Sequence, residues 1–292
     1  MAGSSSRSAW VSVGRPGIRP YAAWPWADTV ADPGEGVAAD GTIRTGAGRS
    51  QVPSAFEPVL ADATALAGER GASLYVYGSV ANGTARAGSS DVDLLSLGLH
   101  DAAAAGRLLS ARYASLCRGV EIAAAEAADL AGDSDAAYGF RVFLRHYCVH
   151  LTGPDPSAGL PAFPADTRAA RGFNGDIARH CRRWRQELGS GTVPADLLGV
   201  RAARKTLLAV AGLVSVRDRT WTTDRAHAAR RWGEIEPGLA APLRMLLSWA
   251  TAERRPAHEE VPSALAGDGV VATVAERFAD LIGLWAADQQ DP

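Results

Sequence analysis

The chain has 292 residues, 47% of them hydrophobic, enough to bury one good core or two modest ones. A net charge of −2 excludes a general electrostatic pull toward nucleic acid or an anionic membrane, so any attraction for phosphate must be local. Cys117, Cys148 and Cys181 lack zinc-ligand spacing, and neither a signal-peptide pattern nor a bilayer-spanning apolar run appears, so a reducing cytoplasm and no membrane partner are expected.

Residues 1–50, rich in Gly, Ser, Pro and Arg, read as a low-complexity flexible tail. The patch "YAAWPWADTV" is the exception, because Trp24 and Trp26 should dock on folded protein. Residues 51–160 alternate helical and strand patterns. A Pro-rich link, "LTGPDPSAGLPAFP", leads into a helical remainder, residues 161–292.

In "SAFEPVLADATALAGERG" a capping box from Ser54 to Glu57 starts a helix that Gly68 or Gly71 ends, with Phe56, Leu60, Ala63 and Leu66 toward the core. "ASLYVYGS" is a buried strand, running apolar up to a glycine. "DVDLLSLGL" is a second strand, "AAAAGRLLSARYASLC" a helix, and "RGVEIAAAE" a third strand. Farther on, Val271, Val274, Phe278, Leu281, Ile282 and Trp285 form one helical stripe. With "ADLLGVRAARKTLLAVAGLVSV" and "APLRMLLSWATAERR" it predicts a bundle of about four or five helices.

Successive strand residues point to opposite faces, so Asp91 and Asp93 project together while Val92 and Leu94 enter the core. Two adjacent carboxylates repel unless a cation sits between them. Magnesium suits them, as a hard ion that takes one or two carboxylates and completes its shell with water and substrate phosphates. Gly78 ends the preceding strand, where a missing side chain admits a phosphate to the backbone, and Ser79 offers a hydroxyl. "SSD" sets Ser90 just before the acidic pair. Together these residues read as a site for a nucleoside triphosphate and a metal.

"YGSVANGTARAGSSDVDLL" resembles the signature of the polymerase β-type nucleotidyltransferase superfamily: Gly-Ser, a spacer of about ten residues, then Asp-hydrophobic-Asp. "FLRHYCVHLTGPDP" followed by helices is similar to the two-domain aminoglycoside adenylyltransferases that modify streptomycin and spectinomycin. The resemblance implies an α+β fold, a nucleotidyltransferase domain with a small mixed sheet followed by an all-α bundle, and substrates in the cleft between. It implies Mg2+ on Asp91 and Asp93, with Glu121 in "GVEIA" as the third carboxylate, either general base or metal ligand. Glu126, near the strand's end, is the less favoured acid. ATP would be the co-substrate, AMP would pass to the hydroxyl of a small acceptor, and pyrophosphate would leave. Gly78, Ser79 and Ser90 would bind the nucleotide, helped by Lys205, Arg217 or Arg219.

For a polycationic acceptor, Asp176, Glu187, Asp224, Glu234 and Trp221 are available. Nothing in composition separates an antibiotic from a natural-product intermediate, a protein or an RNA as acceptor. A non-catalytic nucleotide-binding regulator would not need all three carboxylates. Arg179, Arg182, Arg183 and Arg185 form a basic run that Asp176 and Glu187 dilute, which fits a solvated helix face better than a nucleic-acid surface.

Overall fold

The computed structural model describes residues 31–286. The expected docking of Trp24 and Trp26 lies outside them.

The apolar runs pair into a four-stranded mixed sheet in the order β5-β4-β3-β6: β3 (Ser73–Tyr77), β4 (Val92–Leu97), β5 (Val120–Ala125) and β6 (Val149–Thr152). β3 runs antiparallel to β4 and to β6, whereas β4 and β5 are parallel. A parallel pair needs a long crossover, and α3 (Ala102–Arg112) supplies it. β3 and β4 are buried along their whole length because helices cover both faces, while the edge strand β5 alternates between buried and exposed. One face packs Leu74, Val76, Val92, Leu94 and Ile122 among residues of α1 (Glu57–Gly68) and α3. The other face, with Tyr75, Tyr77, Leu95 and Leu97, is covered by Phe140, Phe143, Leu144 and Tyr147 of α4 (Asp135–Tyr147).

Several expectations change in the structure. The capping box is not formed. Residues Ser54–Phe56 make a 3-10 turn after Pro53, and the Glu57 carboxylate instead accepts both forks of Arg49 at 2.6 and 2.7 Å. Residues 31–50 are not a loose tail. β1 (Gly36–Val37) and β2 (Ile43–Arg44) form a hairpin, Ile43 is 3% exposed, and its N–H donates to Phe163 O at 2.8 Å. Glu35 accepts from the hydroxyl of Tyr147 (2.6 Å) and from the N–H (2.6 Å) and hydroxyl (2.8 Å) of Thr223. Such a clip is held by polar contacts, so it carries no apolar period.

After the link come α5 (Thr167–Asn174), α6 (Ile177–Ser190), α7 (Ala195–Arg217), α8 (Arg225–Ile235), α9 (Ala240–Ala250), α10 (Glu260–Leu265) and α11 (Val270–Leu281), more helices than the apolar stripes suggested. Their hydrophobic cluster also takes in Ile43 of the hairpin and Tyr138 and Val142 of α4, so the helices pack directly on the element that covers the sheet. The final stripe is broken. α11 ends at Leu281, Gly283 turns with φ +90°, and Trp285 folds back to donate its indole N–H to Arg171 O at 2.7 Å. Among the described residues, no helix is long and apolar enough to cross a membrane.

Candidate active site

The opposed register sets the site. Tyr77 lies opposite Asp93, and Asp93 lies opposite Glu121, so three adjacent strands present these side chains on one face at one end of the sheet. Asp91 precedes β4 by one residue and shares that face by alternation. Beyond the strand ends the ladder continues: Arg118 N–H donates to Ser90 O at 3.1 Å and Val92 N–H to Gly119 O at 2.9 Å.

Gly78 begins the single helical turn α2 (Gly78–Ala81) with φ +69°, and a Cβ there would lie 2.8 Å from Asp93 Oδ2. Both the left-handed backbone and the close approach favour glycine. Asp93 is 5% exposed and Ser79 is also buried, whereas Asp91 is partly open and Glu121 is exposed at the edge of the sheet. Partial desolvation of its carboxyl, then the charge of Asp91, raises Glu121 above its ordinary pKa, and Arg204 of α7 opposes them. Tyr77 is fully enclosed, and burial together with Asp93 and Glu121 keeps its phenol protonated. That hydroxyl makes no hydrogen bond among the described residues.

Arg118 takes both oxygens of Asp91, its Nε donating to Oδ1 at 3.1 Å and an Nη to Oδ2. No group of three His, Cys, Asp or Glu among the described residues is gathered to hold a metal by itself. The donors still fit magnesium. They are all hard carboxylate oxygens, an ion of this kind asks one or two of them from the protein, and the absent Cβ of Gly78 lets that backbone pass close to Asp93 Oδ2.

The remaining nucleotide-site candidates are dispersed. Ser90 closes its own loop, its hydroxyl accepting from Arg86 N–H at 2.9 Å. Lys205 is 7% exposed and buried in an ion pair with Asp176 at 2.8 Å, where it also donates to Phe173 O at 3.0 Å, so its ammonium is turned into the helices. Arg217 and Arg219 are exposed at the far end of α7, and Arg217 lies about 20 Å along the axis from Arg204. Arg204, which the sequence reading passed over for its neighbour, is the α7 cation felt at Glu121. Arg118 was also missed; its only sequence signal is a cation standing three residues before Glu121.

The acids considered for a polycationic acceptor are already engaged. Asp176 is held well below the usual carboxylate range by Lys205 and His180 despite its burial. Glu187 pairs with Arg183, Asp224 caps α8, and Glu234 pairs with Arg230 and Arg231. Trp221 is buried and donates to Tyr147 Oη at 2.7 Å. Part of the basic run on α6 is engaged too: Arg179 lies over the Trp285 ring, Arg183 pairs with Glu187, and Arg185 donates to Leu265 O at 2.6 Å, while Arg182 is exposed.

A search of curated proteins gives no match to this chain. Residues 63–112 match the family model described as nucleotidyltransferase domain, a segment that contains Gly78, Ser79, Ser90, Asp91 and Asp93 and stops short of Arg118, Glu121 and Arg204.

Proposed function

We propose that the protein transfers AMP from ATP to a hydroxyl of a small acceptor and releases pyrophosphate, with magnesium held by Asp91 and Asp93. The observation that carries this reading is the register that sets Asp93 opposite Glu121, beside the left-handed turn at Gly78 that packs against Asp93. Bound there, magnesium would neutralise the triphosphate as the α-phosphorus is attacked. Gly78 and Ser79 bind phosphate through the backbone and the hydroxyl. Glu121 takes the proton of the acceptor hydroxyl onto its carboxylate, and its raised pKa makes it a stronger base than an ordinary carboxylate. Arg204 offsets the negative charge that gathers opposite Glu121.

An aminoglycoside is the first acceptor class to test, on the strength of the resemblance. A second reading, in which the acceptor is a natural-product intermediate, a protein or an RNA, is supported by the internal pairing of Asp176, Glu187 and Glu234. Pyrophosphate release from ATP and magnesium across a panel of aminoglycosides, with the Asp93→Asn variant beside the wild type, tests both. Release that depends on streptomycin or spectinomycin and vanishes in the variant supports the first. Magnesium-dependent ATP binding with no release across the panel moves the acceptor to the second. Full activity in Asp93→Asn refutes the metal assignment.

A further inference from the structure

We propose that Arg118 is a built-in counter-ion that holds the cation's place on Asp91, so that the divalent ion binds together with the nucleotide and poorly without it. This rests on the nucleotidyl-transfer reading above. The guanidinium occupies both Asp91 oxygens, the oxygens a divalent ion would need. A planar fork on a carboxylate is a directional arrangement, and the strand ladder presets it: Ser90 O holds the Arg118 N–H, and Gly119 O holds the Val92 N–H on the other side of Asp91.

The two partners differ in freedom. The Arg118 side chain is 51% exposed and Asp91 21%, so the arginine can swing into solvent while the carboxylate stays on its strand. Charge sets the order of events. Asp91, Asp93 and Glu121 bring three negative charges to one face, which Arg118 and Arg204 offset in part. A divalent ion arriving alone must displace the guanidinium from Asp91 and brings no new anion in exchange. A triphosphate arriving with the ion supplies new oxygens of the kind the guanidinium fork matches, so Arg118 exchanges a carboxylate for a phosphate. The exchange moves only salt-bridge partners and forms no covalent bond.

The test is a titration of Mn2+, a paramagnetic stand-in for magnesium, into the full chain, with free ion followed by electron paramagnetic resonance. It is run without nucleotide and with α,β-methylene-ATP, on the wild type, Arg118→Gln, Arg118→Lys and the double variant Arg118→Gln/Asp91→Asn. Circular dichroism checks that each is folded. Without nucleotide, Arg118→Gln should bind Mn2+ about fivefold more tightly than the wild type, the scale of an exposed charge pair, with Arg118→Lys between them. The gain should shrink when the analogue is present and disappear in the double variant. Equal nucleotide-free affinities in wild type and Arg118→Gln, with analogue-dependent Mn2+ binding intact, would overturn the counter-ion role and leave the nucleotidyl-transfer reading standing. A gain that survives Asp91→Asn would overturn it as well. Absence of analogue-dependent Mn2+ binding in every variant would overturn the underlying reading and this inference with it.

Discussion

Replacing Gly78 by alanine perturbs backbone and site together, and the structure allows the two effects to be separated. At φ +69° an alanine is held in the left-handed region, which costs about 1–2 kcal/mol. Its Cβ would also stand 2.8 Å from Asp93 Oδ2, so the carboxylate must leave its rotamer at a further cost of about 1 kcal/mol. Gly71 is the internal control. Its φ is +64°, and a Cβ there meets nothing within 4 Å. Gly71→Ala should therefore show the backbone cost alone. Urea unfolding should place the Gly78→Ala midpoint below that of Gly71→Ala by about 0.5 M, for a slope near 2 kcal/mol/M. Gly78→Ala/Asp93→Ala should recover the difference as a coupling energy of about 1 kcal/mol, because the obstructing carboxylate is gone. Pyrophosphate release should fall in Gly78→Ala and stay intact in Gly71→Ala. Equal destabilisation by the two single changes, with no coupling in the double variant, would refute the close approach of Gly78 to Asp93.

Glu35→Ala removes the acceptor of the Tyr147 hydroxyl and of both Thr223 donors, so thermal unfolding should show a loss of roughly 1–3 kcal/mol; an unchanged midpoint would return residues 31–50 to the status of a loose tail. His146 is held at about 4 by burial and by Arg145, and its Nε2 accepts from Phe163 N–H at 2.9 Å. Its neutral form is the folded one, so its contribution is present above the ordinary histidine value of about 6.5 and is lost as pH falls toward 4. His146→Gln, which keeps an acceptor without the titration, should flatten the fall in urea midpoint between those pH values, and a parallel fall in both proteins would exclude this histidine as a cause. Tyr77→Phe deletes a buried hydroxyl that makes no hydrogen bond among the described residues, so chemical unfolding should find the variant as stable as the wild type or slightly more so. A loss above about 1 kcal/mol would mean that the hydroxyl is satisfied in the native protein.

β3, β4 and β5 were legible because each is a short apolar run bounded by glycine or an acid, and Gly78 with Asp91 and Asp93 could be placed by alternation within a few residues; β6, which runs into the stretch read as the Pro-rich link, was not. The same local logic failed at Glu57, where Pro53 and Arg49 redirect the helix start, and at Trp285, which Gly283 swings out of the stripe it continues in the sequence. It failed again at residues 31–50, because polar clips such as Glu35 leave no periodic trace.

What the sequence by itself determined is local: which segments run apolar, where a turn demands glycine, and that two carboxylates leave β4 on the same side. Only the tertiary structure decided what meets them. Glu121 stands opposite Asp93 because β5 pairs in parallel at one particular register, and Arg118 reaches Asp91 across the same ladder. Arg204 and Lys205 are consecutive cations on one helix, so no pattern in the sequence could say which turns inward. The packing of α7 against α5 and α6 settles it, because Asp176 compensates one buried ammonium while the neighbouring guanidinium, its Nε donating to Ala250 O at 3.2 Å, brings its charge within reach of Glu121.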